Sequence, residues 1–223
     1  MNLTVMLDAG NIDVPEIAGE SLAGFRAWVV DNDLPEKTRL DFYKGKVWVD
    51  MSREQLFTHG LLKTRISTIL DTLSQQNSLG YYWCNGVLVT NEAADLSVNP
   101  DGTFVSNDAL ATERVRLIEG KEGGFVELEG TPDMVLEVVS DSSETKDNKT
   151  LREAYWEAGI SEYWLVDGRG EEVAFDILRR GPKGYTPTRK VGGWVKSAVF
   201  GKTFRLTRQL GPQSHPQFTL DVK

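Results

Sequence analysis

The sequence predicts an α/β fold with a mixed sheet, and three features indicate it. Residues Thr131–Asp167 read as a strand, a polar loop, an amphipathic helix and a second strand. An amphipathic helix over Ser52–Leu73 and two strand regions precede this block, and short strands separated by glycine turns follow it. The predicted core order is therefore helix, strand, strand, strand, helix, strand, which is typical of helices packed on a mixed sheet.

Length and composition indicate one domain in a reducing compartment. The 223 residues suit a single domain over residues 1–223, and no low-complexity linker divides them. Cys84 is the only cysteine, which rules out an intrachain disulfide, and one cysteine with two histidines excludes a structural zinc site of the Cys/His type. The sequence shows neither a signal peptide nor an apolar run of about 18 residues. We therefore expect a cytoplasmic protein without a membrane span.

The charge distribution bears on nucleic-acid binding in two opposite ways. The net charge of −8 opposes avid, sequence-independent binding to a phosphate backbone. Residues 168–223, however, carry 11 Lys and Arg against 4 Asp and Glu. This basic segment is either a surface that faces phosphates or a solvated, charged region of hairpins.

A helix and a hairpin are predicted to precede the core. Ser21 can cap a short helix over Leu22–Asp31, because its hydroxyl can accept a hydrogen bond from a free backbone amide in the first turn. Strands Arg39–Tyr43 and Lys46–Asp50 follow as a hairpin around Lys44-Gly45.

The first core helix begins, by its pattern, at Ser52. Ser52 is the predicted N-cap, and Gln55 stands at the capping-box spacing. Strand regions are then expected at Tyr81–Thr90, Asp95–Ser106, Val115–Ile118 and Phe125–Leu128. After Asp167 the pattern predicts a C-terminal β extension, whose clearest strands are Val173–Leu178 and Thr203–Leu206.

Two carboxylates are candidates for metal chemistry. Glu137 interrupts an otherwise apolar strand, where an uncompensated carboxylate costs several kcal/mol or becomes protonated. Asp101 follows Pro100 in a second strand region, where it is either a site residue or part of a Pro-Asp-Gly turn. Two carboxylates from neighbouring strands suit Mg²⁺, which can lower the pKa of a bound water and stabilise charge on a phosphoryl oxygen.

Four further residues are candidates for the functional site, and each also has a purely structural interpretation. Asp133 shares the side-chain parity of Glu137, so it is either a third metal ligand or a turn residue after Pro132. Lys146 and Lys149, just before the second helix, either reach a phosphate or are solvated surface lysines. His59 lies in the first core helix, where it is either a catalytic residue or a satisfied core histidine.

Several segments together carry a resemblance to a known family. They are Asp41–Val47, the helix that holds His59, Ser97–Asp101, Pro132–Ser140, Lys146-Asp147 and Tyr155–Asp167. Over roughly residues 20–208 the chain resembles the Uma-type endonuclease-like family of the PD-(D/E)XK, or restriction-endonuclease-like, superfamily.

The resemblance implies a fold, a site and an activity. The implied core is a helix, three strands, a helix and a strand, with the active site at the edge of the sheet. Asp101 and Glu137 would hold Mg²⁺ or Mn²⁺, and a main-chain carbonyl near Val138 or Val139 would complete the site. A homodimer is also expected from this fold.

The chain departs from the superfamily where a lysine is usual. The lysine two residues after the glutamate is Val139 here, and a lysine that many relatives carry four residues after the position of Asp147 is Leu151. Lys146 or Lys149 would then have to orient the attacking water, or the enzyme is impaired.

These observations favour a metal-dependent nuclease that acts on DNA. The acidic composition and Val139 favour an alternative, a catalytically inactive module that kept the fold and binds DNA or protein. A structural dimer without nucleic-acid contacts is the third possibility.

Overall fold

The computed structural model describes residues 3–7, 10–31, 38–50, 52–121 and 123–223. Its contacts divide the chain into two compact units. The first unit comprises residues 1–53, 86–99 and 116–130, and the second comprises residues 54–85, 100–115 and 131–223. A single domain over residues 1–223 stays a prediction.

Strands dominate the described residues, and helices are few. The helices are α1 (Glu16–Glu20), α2 (Leu22–Asp31), α3 (Leu62–Gln76), α4 (Asn107–Ala111) and α5 (Leu151–Glu157). The strands are β1 (Leu3–Leu7), β2 (Gly10–Val14), β3 (Arg39–Tyr43), β4 (Lys46–Asp50), β5 (Gly80–Cys84), β6 (Leu88–Asn91), β7 (Leu96–Val98), β8 (Gly102–Ser106), β9 (Val115–Glu119), β10 (Phe125–Gly130), β11 (Met134–Val138), β12 (Glu162–Asp167), β13 (Ala174–Gly181), β14 (Gly184–Pro187), β15 (Lys190–Val191), β16 (Trp194–Lys196), β17 (Thr203–Leu210) and β18 (Pro216–Val222). Single helical turns also form at Leu56–Leu61, Glu92–Ala94 and Lys146–Thr150.

The first unit contains the predicted N-terminal helix and hairpin. Its six-stranded sheet has the order β4-β3-β7-β6-β10-β9, and β1 pairs with β2 separately. The Ser21 hydroxyl accepts a hydrogen bond of 3.0 Å from the Gly24 amide, which confirms Ser21 as the N-cap of α2. The β3–β4 hairpin has the predicted bounds.

The second unit has the predicted core. Its six-stranded sheet has the order β14-β13-β12-β11-β8-β5, in which β11 runs parallel to β12 and antiparallel to β8. The chain order α3, β5, β8, β11, α5, β12 is the expected helix, three strands, helix and strand. The β extension is also confirmed, because β13 and β14 lengthen this sheet and β15–β18 form a four-stranded sheet.

The core of the second unit lies between α3 and one face of its central strands. Leu62, Ile66 and Leu70 of α3 are fully buried against an apolar cluster that includes Leu136 and Val138 of β11. Because side chains alternate along a strand, Glu137 points to the opposite face. One face of β11 therefore packs in the core, and Glu137 lies on the other face.

Two predicted strands are each divided between different sheets. The region Tyr81–Thr90 breaks at Asn85 and Gly86, whose φ values of 54° and 70° form a turn between β5 and β6. The region Asp95–Ser106 likewise separates into β7 and β8. The prediction of one continuous strand over Tyr81–Thr90 was wrong, because Asn85-Gly86 interrupts the apolar pattern and the backbone changes direction there.

The first core helix starts later than predicted. Gln55, and not Ser52, caps it, because the Gln55 side-chain oxygen accepts hydrogen bonds of 2.7 and 2.5 Å from the amides of Phe57 and Thr58. A single π-helical turn over Leu56–Leu61 then leads into α3. Within the described ranges, no helix is both long and apolar enough to cross a membrane.

Candidate active site

The register of the central sheet brings Asp101 and Glu137 together. In the antiparallel pairing of β8 and β11, Gly102 lies opposite Leu136. Asp101 directly precedes Gly102 and Glu137 directly follows Leu136, so the two carboxylates come at the same end of the pairing. The Val138 amide donates a hydrogen bond of 2.8 Å to Asp101 Oδ2. Asp101 is 1% exposed and Glu137 is 5% exposed. The two residues predicted as metal ligands thus share one buried place at the end of β11.

Glu137 is held in an environment that opposes its negative charge. The Tyr155 hydroxyl on α5 donates a hydrogen bond of 2.5 Å to Glu137 Oε1. Burial, followed by the charges of Asp147 and Asp101, raises the pKa of Glu137 well above its ordinary value, and the charge of Lys146 acts against this rise. The site therefore brings carboxylates close together in a buried place, and a bound cation would offset their mutual repulsion.

Asp147 is a third buried carboxylate that the sequence did not single out as a site residue. It lies inside the helical turn Lys146–Thr150 and is 1% exposed. The Ser143 hydroxyl donates a hydrogen bond of 2.5 Å to Asp147 Oδ2, and the Tyr163 hydroxyl donates one of 3.0 Å to its carbonyl oxygen. These contacts fix Asp147 where its charge acts on Glu137.

His59 is brought to Asp101 from the turn before α3. Its Nε2 lies 3.4 Å from Asp101 Oδ2, and its Nδ1 lies 2.7 Å from Glu54 Oε1. Burial lowers the pKa of His59, but the hydrogen bonds and charges of Asp101 and the hydrogen bond to Glu54 outweigh it, so the pKa is raised overall. His59 thus contacts the candidate site through Asp101.

Lys63 also contacts Asp101, and the sequence reasoning missed it. Its Nζ lies 3.4 Å from Asp101 Oδ1, donates a hydrogen bond of 3.0 Å to Asn85 Oδ1 and pairs with Glu54. A signal was present in the sequence, because residues four apart share a helix face and Lys63 follows His59 by four.

The two lysines predicted as water-orienting residues have different surroundings. Lys146 is half-buried, and its charge acts on Glu137. Lys149 is exposed and lines a cavity of about 360 Å³ together with Val139 and Asp167. Lys146 is therefore the better placed of the two to act on the carboxylates.

Asp133, the expected third ligand, is held at the other end of β11. Arg114 Nη2 donates a hydrogen bond of 2.5 Å to Asp133 Oδ1, and the Ser106 amide donates one of 2.7 Å to Asp133 Oδ2. Four residues of strand separate its Cα from that of Glu137 by roughly 13 Å. The structure therefore places Asp133 away from Asp101 and Glu137. The Val138 amide, in contrast, contacts Asp101, and ligation of a cation by the Val138 carbonyl stays a prediction.

The donor set of the site fits a hard cation that keeps water in its shell. Within the described residues, no three His, Cys, Asp or Glu side chains are spaced as a complete metal cage. Mg²⁺ is usually bound through one or two carboxylates plus waters and substrate phosphates, and it does not need such a cage. Asp101 and Glu137 supply oxygen donors of this kind in a buried place, where the charge of a third carboxylate, Asp147, acts on Glu137.

Comparisons with known proteins show the family and agree with the fold. A family model described as "Uma2: Putative restriction endonuclease" matches residues 24–209. A solved structure of "a putative nuclease belonging to DUF820" from Anabaena variabilis ATCC 29413 is similar in fold, with a TM-score of 0.60 and 14% sequence identity. The similarity covers 81% of this chain and 90% of that chain. A search of curated proteins found no match.

We expect the substitution Glu137→Gln to stabilise the cation-free protein at neutral pH. Because the pKa of Glu137 is raised on folding, the unfolded chain releases this proton first as the pH rises above the ordinary value of 4.5, and stability falls. Glutamine keeps the acceptor for Tyr155 and removes that loss. Urea unfolding in EDTA should show a gain on the order of 1–2 kcal/mol at about pH 7.5, which shrinks towards about pH 4.5.

The exposed residue Glu119 provides the control for this measurement. Glu119→Gln should leave the free energy of unfolding within about 0.5 kcal/mol of the wild type at both pH values. A Glu137→Gln variant less stable than the wild type at neutral pH would show that Glu137 is a stabilising ionised group, contrary to this account.

Proposed function

Because this chain belongs to the Uma2 family of restriction-endonuclease-like proteins, we propose that it hydrolyses phosphodiester bonds in DNA with a divalent cation. The observation that carries the proposal is the buried pair Asp101 and Glu137, which lies where β8 begins and β11 ends. Two carboxylates crowded in a buried place destabilise the fold, and such arrangements concentrate at sites that use them.

Asp101 and Glu137 are the proposed ligands of Mg²⁺ or Mn²⁺. Both supply oxygen donors, and a carbonyl of Val138 is the proposed additional donor. When bound, the cation lowers the pKa of water and stabilises the charge that develops on phosphoryl oxygens. The hydrogen bonds from the Val138 amide to Asp101 and from the Tyr155 hydroxyl to Glu137 hold the two carboxylates in fixed orientations before any cation arrives.

Lys146 is the proposed residue that orients the attacking water. Its charge already acts on Glu137, so its ammonium group lies within electrostatic reach of the site. A cation there also stabilises the negative charge of the scissile phosphate in the transition state. Lys149 is the alternative, since it lies on the same helical turn. His59, with Nε2 near Asp101 Oδ2, is proposed to take part in catalysis from the other side.

The proposed substrate is DNA, and the proposed assembly is a homodimer. The chain is acidic as a whole, whereas residues 168–223 carry 11 Lys and Arg against 4 Asp and Glu. This segment forms β13–β18 and is the proposed surface for phosphates. The homodimer rests on the family's fold alone.

A catalytically inactive binding module is the second candidate, and one observation favours it. Val139 and Leu151, the positions where related sequences carry lysine, are both buried and apolar, with 2% and 1% exposure. An enzyme that lost its lysine would keep the fold and bind DNA or protein without turnover.

The substitution Glu137→Ala is expected to abolish cleavage while the protein stays folded. Loss of a proposed cation ligand should lower the rate with Mg²⁺ or Mn²⁺ by about 100- to 1,000-fold. The assay is cleavage of supercoiled plasmid and of labelled single- and double-stranded oligonucleotides, with the melting temperature near or above that of the wild type.

Glu119→Gln, purified in parallel, should cleave like the wild type and thus exclude a contaminating nuclease. Cleavage by Glu137→Ala at the wild-type rate would rule out Glu137 as a catalytic ligand. Binding without turnover by the wild type, with either cation, would favour the inactive module.

The substitutions Lys146→Met and Lys149→Met should separate the two lysine candidates. We expect Lys146→Met to lower kcat by about 100-fold, because it removes the charge that acts on Glu137, and Lys149→Met to change it by less than about threefold. Single-turnover cleavage at saturating cation measures this ratio. The reverse order would assign the role to Lys149, and cleavage by both variants at the wild-type rate would remove both lysines from the mechanism.

A further inference from the structure

Lys63 is a buried lysine in contact with the candidate site. Among the residues that the structure describes, it is the only lysine with a buried side chain, at 4% exposure. It lies in the first turn of α3, beside Leu62, and its Nζ is 3.4 Å from Asp101 Oδ1. None of the sequence patterns or family motifs assigned it a role.

Packing alone does not account for a lysine at this place. The neighbouring core positions of α3, Leu62 and Ile66, are apolar, and an uncharged side chain of similar length would fill the space without desolvating an ammonium group. Buried charges persist where partners hold them, and Lys63 has three: it donates a hydrogen bond to Asn85 Oδ1 and forms ion pairs with Glu54 and Asp101. The charge is therefore fixed in position as well as buried.

The partners of Lys63 also connect it to His59. Glu54 Oε1 contacts both Lys63 Nζ and His59 Nδ1, and each of these two residues approaches one oxygen of Asp101. Lys63 approaches Oδ1, whereas His59 approaches Oδ2. Lys63 and His59, on successive helical turns, thus approach both oxygens of the Asp101 carboxylate that the Val138 amide also holds.

We propose that Lys63 is a positioning residue of the active site. It holds Asp101 and supplies a fixed positive charge from α3, because Val139 and Leu151 stand where related sequences carry lysine. This role rests on the nuclease activity proposed for Asp101 and Glu137. Lys63 acts on the Asp101 side of the site, and Lys146 acts on the Glu137 side. The chain would thereby replace one missing lysine by two lysines from different helical segments.

The test uses Lys63→Met, Lys63→Arg and the control Arg65→Met in the full-length protein. Arg65 is an exposed cation on the same helix, so its substitution removes one positive charge without touching Asp101. We expect Lys63→Met to lower the single-turnover cleavage rate by about 100-fold at saturating Mn²⁺, because Asp101 loses its fixed orientation. Lys63→Arg should recover at least about tenfold of this loss, since the charge is kept. Arg65→Met should cleave like the wild type.

Calorimetric titration with Mn²⁺ provides a second measurement that does not depend on cleavage. Removing a positive charge beside a cation ligand should tighten Mn²⁺ binding by about three- to tenfold in Lys63→Met and leave it unchanged in Arg65→Met. A lysine with a merely structural role predicts the opposite, which is weaker Mn²⁺ binding together with a lower melting temperature.

The outcomes distinguish this role from the proposed function. A wild type that cleaves DNA while Lys63→Met cleaves within about threefold of its rate would overturn the role of Lys63 alone. A wild type that cleaves no DNA would overturn the proposed function, and the titration then decides about Lys63: tighter Mn²⁺ binding by Lys63→Met supports its place beside the cation, and unchanged or weaker binding overturns it.

Discussion

The hydrogen bond from the Val138 amide to the Asp101 carboxylate joins the start of β8 to the end of β11, and the candidate site depends on it. The position is constrained from both sides. Gly102 follows Asp101 directly, and a side chain there would place a Cβ 2.1 Å from Tyr82 Oη, so the backbone can approach the core only as glycine. Because β11 lies between β8 and β12, the location of Asp101 beside Glu137 is a property of the sheet and not of a flexible loop.

The same arrangement opposes the stability of the fold. Glu137, Asp101 and Asp147 are all buried, and the charges of the other two raise the pKa of Glu137. Lys146 from one helical segment and Lys63 from another offset part of this repulsion. A fold selected for stability alone would replace these groups by apolar side chains. The proposed divalent cation, a ligand that needs oxygen donors, would offset the repulsion among these carboxylates.

The elements that local patterns specify were predicted from the sequence. The block from β11 to β12 and the β3–β4 hairpin follow from apolar alternation and turn residues, and Glu137 was conspicuous because a carboxylate interrupts an apolar strand. Strand partners were not predictable, since Asn85-Gly86 marks a turn between β5 and β6 but no local pattern shows that the two strands belong to different sheets. The contact of Lys63 with Asp101 depends on that long-range pairing, so helical spacing alone could only suggest that it shares a face with His59.

Calorimetric titration of the wild type and of the double variant Asp101→Ala/Glu137→Ala with Mg²⁺ and Mn²⁺ would show whether the two carboxylates bind a divalent cation. We expect the wild type to bind the cation and the double variant to lose at least about tenfold in affinity, with both proteins folded by circular dichroism. Equal binding by the two proteins would place the cation elsewhere. A folded wild type that binds neither cation, alone or with a non-cleavable oligonucleotide present, would contradict the metal site and make the inactive module the leading interpretation.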